Sequence, residues 1–231
     1  MAESSKPESS GGCLGKLLVM FLLVGAVALG IAVYLIARPQ DLSDIGGYGP
    51  QPEGAPARDM KVVLQNAVDR GYALSLTESE INRWLARELV LSQGGVLGSE
   101  VKLERVWVRL DDGHAEVIME RRIRDYTFTL SMFLTVEQTQ GDKGVKTEVH
   151  LHGGPFHEEM QRPMRGGRFG RLVVPQGFLI LVIPAYQKLA GLFAGEIGLV
   201  EEMARIRVEK NRLILDPRDP SADASLFPET F

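Results

Sequence analysis

The hydrophobic pattern of this chain changes period several times, and each change predicts a new element. Leu17 to Ala37 has no period: it is an unbroken apolar run between Lys16 and Arg38. As a helix, about 21 residues rise about 31 Å, close to the hydrocarbon thickness of a bilayer. A cleavable signal has a shorter apolar core and small residues before the cut, whereas Leu35 and Ile36 precede Ala37 here. The pattern therefore predicts an uncleaved transmembrane anchor over residues 16–38. Gly25 and Gly30 are five apart, which is not the GxxxG spacing of a helix dimer.

After the anchor the periodicity is lost. Pro39, Pro50, Pro52 and Pro56, with Gly46, Gly47, Gly49 and Gly54, predict a linker over 39–56 that holds a domain off the bilayer. A helical period then begins. Met60, Val63, Leu64 and Ala67 fall at i, i+3, i+4 and i+7, and Gly71 stops the helix. Tyr72 to Leu76 reads as extended. Thr77-Glu78-Ser79-Glu80 is a capping box, with Leu76 and Ile81 placed as a hydrophobic staple. Ile81, Trp84, Leu85 and Leu89 make the apolar stripe of the helix it opens, which should end near Leu91.

From Val101 the period is two. Val106, Val108 and Leu110 alternate with polar residues up to an Asp111-Asp112-Gly113 turn. Glu116 to Thr139 continues as a long β stretch. Tyr126, Phe128, Leu130, Met132, Leu134 and Val136 share one face; Thr127, Thr129, Ser131 and Thr135 share the other, with Phe133 the exception. One greasy concave face and one solvated face are expected. Arg121, Arg122 and Arg124 interrupt the pattern and mark a bend. Gly141 to Gly144 is a turn, and Val145, Thr147, Val149 and Leu151 alternate again. Gly153 to Gly170 reads as a loop and Leu172 to Val174 as extended. Pro175 suits the first turn of a long apolar helix, Gln176 to Ala194, which Pro184 should kink. Ile206 and Val208, then Leu213 and Leu215, flank a turn at Glu209-Lys210-Asn211 and read as a closing hairpin.

Composition narrows this picture. The chain has 231 residues, 26 Lys and Arg against 30 Asp and Glu, and a formal net charge of −4. That balance lacks the basic stripe of a nucleic-acid-binding surface, so no nucleic acid is expected as a partner. Residues 57–217 are enough for one domain with its own core. The single cysteine, Cys13, precedes the anchor and leaves the domain without a disulfide. Residues 1–15 form a polar tail and 218–231 a second tail, both expected to be disordered. The basic residues flanking the anchor, Lys6 and Lys16 before it and Arg38 and Arg58 after it, are nearly level. A short first tail beside a long domain favours a cytoplasmic N-terminus and an extracytoplasmic C-terminal domain, periplasmic if the chain is bacterial.

Three stretches carry a resemblance to a known family. Leu74 to Asn82, with Leu85, resembles the T-E-x-E-(I/L)-N-x-x-L helix start of YceB-like and YpmS-like bacterial proteins. Gly170 to Pro175 before an apolar helix is similar to the G-x-L-x-(L/V)-P lead-in of YpmS-like chains. Ile206-Arg207-Val208 through Leu213-Ile214-Leu215-Asp216-Pro217 resembles the ending of both groups, with Asn211 where a glycine would be expected. The similarity runs from Tyr72 to Pro217; the basic loop Arg162–Arg171 and the histidine cluster are not part of it. These groups are largely uncharacterised, membrane-attached and extracytoplasmic. YceB-like proteins are similar to the tubular lipid-binding (TULIP) fold. The resemblance implies an α+β fold in which a curved antiparallel β-sheet wraps around a long apolar helix. It also implies a lipid or other hydrophobic ligand rather than catalysis.

The candidate ligand-binding residues are therefore Tyr126, Phe128, Leu130, Met132, Leu134, Phe178, Leu181 and Val182. The helix at Gln176–Ala194 has three readings: core of the sheet, lining or lid of a groove, or a segment dipping into the membrane. Arg162, Arg165, Arg168 and Arg171 are candidates for contact with anionic head groups, against the reading of a solvated loop. His150 and His152 lie two apart on a strand, with His157, Glu158 and Glu159 beyond, and His114 elsewhere. Histidine and carboxylate suit zinc or copper, but a solvated strand face opposite Val149 and Leu151 is the preferred reading, and no metal or cofactor is expected. Gly144 with His150-x-His152 opens like a cupin motif, yet the glutamate comes too late, at Glu158 or Glu159. Phe178, Leu179 and Ile180 stand where the second histidine is needed. The chain has no Gly-x-Ser-x-Gly, P-loop or His-Glu-x-x-His. No enzyme activity is expected. The alternative to a ligand groove is a structural or protein-interaction module of the cell envelope with a dry core; a protein partner is not specified by the sequence.

Overall fold

The computed structural model describes residues 12–47, 58–92, 102–141, 144–151 and 165–218. Residues 1–11 of the expected tail 1–15, residues 219–231 of the expected tail 218–231, residues 48–56 of the expected linker 39–56, and His152, His157 and Arg162 lie outside the described residues; Gly12 to Gly15 belong to the first helix and not to a tail. The apolar run is one helix, α1 (Gly12–Ala37). Its stretch Leu14–Ala37 is long and apolar enough to cross a membrane, and none of it is buried in the protein.

The domain is α+β with two antiparallel sheets. Helix α2 (Met60–Arg70) opens with the Asp59 side chain accepting from the Lys61 and Val62 amides, and closes at Gly71 in the left-handed region. β1 (Leu74–Thr77) leads into α3 (Glu78–Ser92) through the expected capping box. The Thr77 amide donates to Glu80 Oε2 at 2.9 Å and the Glu80 amide to Thr77 Oγ1 at 3.3 Å. β2 (Lys102–Asp111), β3 (His114–Ile123) and β4 (Tyr126–Gly141) follow as a meander. The interruption at Arg121, Arg122 and Arg124 is a full reversal, not a bend: the β3–β4 turn is at Arg124-Asp125, with Arg124 at φ 54°. β4 is long enough to share its second edge. β5 (Gly144–Leu151) pairs with residues 134–141, and β6 (Arg165–Phe169) with Leu130–Met132. β7 (Leu172–Pro175) closes that edge. The second sheet has the order β1, β9 (Arg212–Asp216), β8 (Arg205–Glu209), with Asn211 at φ 60° in the turn expected to hold a glycine.

The expected single helix over Gln176–Ala194 is not formed. Gln176–Leu181 is a 3-10 turn, Ile183–Leu192 is α4 and Ala194–Glu201 is α5. Pro184 is the reason for the first break. Its ring has no N–H and clashes with the carbonyl four residues back, so it starts a helix more readily than it kinks one. Pro184 accordingly sits in the first turn of α4. The described fold is thus helices laid across the inner face of a sheet, with no long helix inside it.

The main core fills the space between that inner face and the helices. Leu64, Leu76, Trp84, Leu85, Leu89, Val106, Leu110, Met119, Phe193, Met203 and Leu215 are among its buried members. Trp84 and Phe193 meet at 5.1 Å between ring centroids, tilted by 56°. α3 is fastened to β2 by Asn82, which is 2% exposed. Its amide donates to Val108 O at 2.9 Å and accepts from Val108 N at 2.7 Å, so the side chain satisfies a backbone pair on β2. Asn82 is thus a helix-to-strand bridge.

Two predictions follow from these fastenings. Asn82→Leu leaves both Val108 groups unpaired and should destabilise the protein by about 1–3 kcal/mol in denaturant unfolding; an unchanged midpoint would remove Asn82 from the fold's determinants. The Thr77 amide holds the Glu80 carboxyl below the usual carboxylate range. A depressed folded-state value means stability present above the unfolded value, near the usual glutamate range, and lost as pH falls through the folded one. Glu80→Gln should cost about 1 kcal/mol at neutral pH, and the gap to the native chain should close in melts taken on the acid side.

Candidate functional site

The two faces of the six-stranded sheet present different chemistry, and strand parity decides which residues fall on each. The inner face carries Ala115, Val117, Met119, Arg121 and Ile123 from β3 opposite Leu134, Met132, Leu130, Phe128 and Tyr126 from β4. The candidate ligand-binding residues separate here into two groups. Met132 packs with Val174 and Leu179 in a closed cluster, with Leu134 and Val182 against it; Leu179 has no exposed surface. Phe128 and Leu130 are half-buried. Tyr126, Phe178 and Leu181 instead face outward, at 80%, 56% and 74% exposure, joined by Ile180 at 70%. The inner face is therefore shut beneath the 3-10 turn and open in apolar side chains around it. Tyr186 on α4 lies 3.0 Å from the carbonyl oxygens of Val117 and Leu130, its hydroxyl donating into that pair. Burial, helped by the charge of Glu116, pushes its phenol up, so it is a proton donor and not a base.

The opposite face, expected to be solvated, is buried. Trp107, Ile118, Thr129, Ser131 and Phe133 are all at 6% exposure or less. Residues 38–47, the first part of the segment read as a spacer, cover it. Leu42 and Ile45 pack on Trp107 and Ile118. The Gln40 amide donates to Thr129 Oγ1 at 2.9 Å. Glu116 sits at the centre of this face, 2% exposed. It accepts from Ser131 Oγ at 2.5 Å and from Arg109 Nη1 at 2.7 Å. Arg109 in turn donates to both carboxylate oxygens of Asp44 at 2.9 Å and to Asp41 O at 3.0 Å. Burying two aliphatic side chains is worth about 3–6 kcal/mol, while an exposed ion pair such as Arg109–Asp44 is worth about 0–1. Leu42 and Ile45 hold the segment; the polar network sets its register.

The same face receives the end of α1. The Arg171 amide donates to Leu35 O at 2.9 Å and Arg171 Nε to Pro39 O at 3.2 Å. Gly170, at φ 56°, lies so close that an added Cβ would come within 2.4–2.6 Å of the carbonyl oxygens of Leu35, Ile36 and Arg38. The β6–β7 turn thus caps the C-terminal carbonyls of α1, where a cation is also favoured by the helix dipole.

The candidate head-group arginines are placed as follows. Arg171 is at the end of α1, exposed beyond its bond to Pro39. Arg168 turns onto the outer face, 3.7 Å from Glu116 and 5.6 Å over the Phe133 ring. Arg165 contributes backbone to β6 opposite Pro175. Of the histidines, His150 is placed by its backbone in β5 opposite Thr135, and His114 meets Phe133 edge-on at 6.0 Å. Among the described residues no group of three or more His, Cys, Asp or Glu side chains could hold a metal ion. Among the described residues, Thr129 and Arg109 join the sheet to the segment, and Ser131 bonds to Glu116 within the sheet. Sequence reasoning missed Leu42, Ile45, Arg109 and Glu116. The signal was Leu42 and Ile45 themselves, the only aliphatics in the stretch Arg38 to Gly47, three apart and able to share one side of a tight turn.

No family model matches the chain, and no curated protein is significantly similar to it.

The seat of α1 makes a prediction at Gly170. Gly170→Ala forces its new methyl against three carbonyl oxygens in a backbone region that side chains rarely adopt. Endoproteinase Asp-N should then cut before Asp41 faster, by about tenfold for every 1.4 kcal/mol of lost seating. An unchanged cleavage rate would mean that the junction does not hold α1 in solution.

Proposed function

We propose that the chain is a single-pass membrane-anchored, non-catalytic module whose α+β domain takes a lipid acyl chain, or another apolar ligand, at the inner face of the sheet. The observation that carries this reading is the group of large apolar side chains, Phe178, Ile180 and Leu181, held open to solvent on the 3-10 turn over that face. Half-buried Phe128 and Leu130 lie on the same face and Val182 at its closed edge. Such surface is costly in water and is normally covered by a ligand, a partner or lipid. The anchor supplies the lipid source: the helix long enough to span is hydrogen-bonded to the domain and not separated from it by a free tether. In this reading the N-terminus is cytoplasmic and the domain extracytoplasmic, periplasmic in a bacterium. The resemblance to YceB-like and YpmS-like proteins, and through them to the tubular lipid-binding fold, belongs to the same proposal. The antiparallel sheet with helices across one face is compatible with it; the broken helix at Gln176–Glu201 is its main departure.

A second reading is favoured by a different observation. Met132, Val174 and Leu179 close the centre of the inner face at 6% exposure or less, as a dry core would. The domain would then be a structural or interaction module of the envelope, and Phe178, Ile180 and Leu181 would meet a protein.

A diazirine-bearing fatty acid added to the full chain in detergent separates these readings. Crosslinks should map to peptides holding Phe128–Leu134 and Phe178–Val182, and Leu181→Asp should weaken that labelling about tenfold or more, the worth of one buried leucine. Crosslinks confined to α1 would overturn the ligand site and leave the interaction module.

A further inference from the structure

The β3–β4 hairpin tip is the feature that neither reading uses. Ile123 and Tyr126 are opposite one another at the end of the inner face, 42% and 80% exposed. Around them are Arg121, Arg122 and Arg124, with Asp125 the only acid in the turn. Arg122 pairs with Glu104 at 3.0 Å yet keeps half its side chain exposed. Arg124 is exposed. Arg121 Nε is buried with no acceptor among the described residues, and Arg121 Nη2 lies 3.9 Å from Met119 Sδ. An isolated solvated turn has no need of two exposed apolar side chains set among three arginines.

The direction of the tip follows from strand register. β6 runs antiparallel to β4 with Phe169 opposite Leu130, so the β6–β7 turn points the same way as the β3–β4 turn. The Gly170 amide donates to Thr129 O at 2.8 Å. Tyr126 lies three residues beyond Thr129, about 10 Å further along the strand. Between Gln40 and Asp44 the covering segment climbs from Thr129 to Arg109, which is opposite Glu116 and, across it, Phe133. That is away from the tip. Followed backwards, the chain reaches Leu35–Arg38 and α1 at the tip end of the sheet. The end of α1, the β6–β7 turn and the hairpin tip therefore share one end of the domain, with Tyr126 about 10 Å beyond the β6–β7 turn along the strand.

We propose that the β3–β4 hairpin tip is a second membrane contact, in which Tyr126 and Ile123 enter the interfacial layer of the bilayer that holds α1 while Arg122, Arg124 and Arg171 meet the phosphates of anionic phospholipids. The proposal rests on the reading of α1 as an anchor. Three points select this occupant. Continuity with the seat of α1 brings the bilayer to this end of the sheet. The projection of about 10 Å compares with the roughly 5–8 Å of head-group layer on each side of the hydrocarbon. A tyrosine ring with arginines beside it is the composition of a membrane interface, where the ring sits at head-group level and each cation gains from anionic lipid. The contact fixes the tilt and rotation of α1 and its attached domain, as one unit, in the bilayer, which a lone helix leaves free.

The test uses the full chain with Cys13→Ser and one nitroxide-labelled cysteine at a time, at Val27, Tyr126, Ile123 or Lys210. The chain is reconstituted in phosphatidylcholine vesicles with and without phosphatidylglycerol. Oxygen and a water-soluble nickel complex report depth. The Val27 label should lie in hydrocarbon and the Lys210 label, on the β8–β9 turn, in water. The Tyr126 and Ile123 labels should read as interfacial, and more so with phosphatidylglycerol. Arg124→Glu should lower the ratio of docked to free signal at Tyr126 about fivefold or more. A Val27 label in hydrocarbon with Tyr126 and Ile123 labels as wet as Lys210 overturns the tip contact alone. A Val27 label in water overturns the anchor and the tip contact with it. Docking indifferent to phosphatidylglycerol and to Arg124→Glu overturns the assignment to anionic head groups.

Discussion

A buried carboxylate has to be matched or it will not stay buried as an anion. Glu116 is in the middle of a sheet face with 2% of its surface exposed, and everything laid on that face is arranged around it. Ser131 and Arg109 supply the donors. Arg109 is then left with donors of its own, and these go to Asp44 and to the carbonyl of Asp41. The chain following α1 is therefore the far end of a network that begins in the sheet. Replacing such a charged group with packed apolar residues is often neutral or stabilising, so the network is a weak source of stability. Its effect is on register: with Glu116 fixed, the covering segment has one position in which Arg109 is satisfied and Leu42 and Ile45 reach Trp107 and Ile118.

This arrangement changes what the anchor does. A Pro/Gly spacer would let the domain sample many orientations over the membrane. Here the helix end is bonded within one residue of the sheet, by the Gly170-Arg171 turn, and the following ten residues lie on the domain. The orientation of the sheet is therefore coupled to the orientation of α1. In the proposed anchored form, any opening in the inner face would have a fixed position relative to the bilayer from which the proposed ligand would arrive.

Local rules were enough for the parts of the fold in which neighbours in sequence are neighbours in space. Thr77 and Glu80 cap α3 as their spacing requires. The alternation of Val106, Val108 and Leu110 gives β2, and Gly113 at φ 78° gives its turn. Two expectations failed for a common reason. Thr127, Thr129, Ser131 and Thr135 look solvated because hydroxyls usually are; Thr129 and Ser131 are buried because partners 89 and 15 residues away satisfy them. Residues 39–47 look like a spacer because proline and glycine deny them a long helix or strand, but a segment can pack with no more than the 3-10 turn at Ser43–Ile45. The helix over Gln176–Ala194 was misjudged differently. Pro184 acts as a start and separates the 3-10 turn from α4, and a second break follows at Phe193.

The division of the candidate ligand residues follows from that break. A continuous helix with the apolar content of Gln176–Ala194 would turn its side chains onto the sheet in a regular stripe and leave few outside. A 3-10 turn superposes every third residue, so six residues cannot all face inward. Leu179 takes the inward place, pressed against Gly166 and Gly167, where β6 comes too near for any larger residue. Phe178, Ile180 and Leu181 are turned out as a geometric consequence. The apolar surface around the closed cluster is thus set by the backbone of this turn, and glycine in β6 is the condition that lets the turn sit low enough to close the cluster while its neighbours stay open.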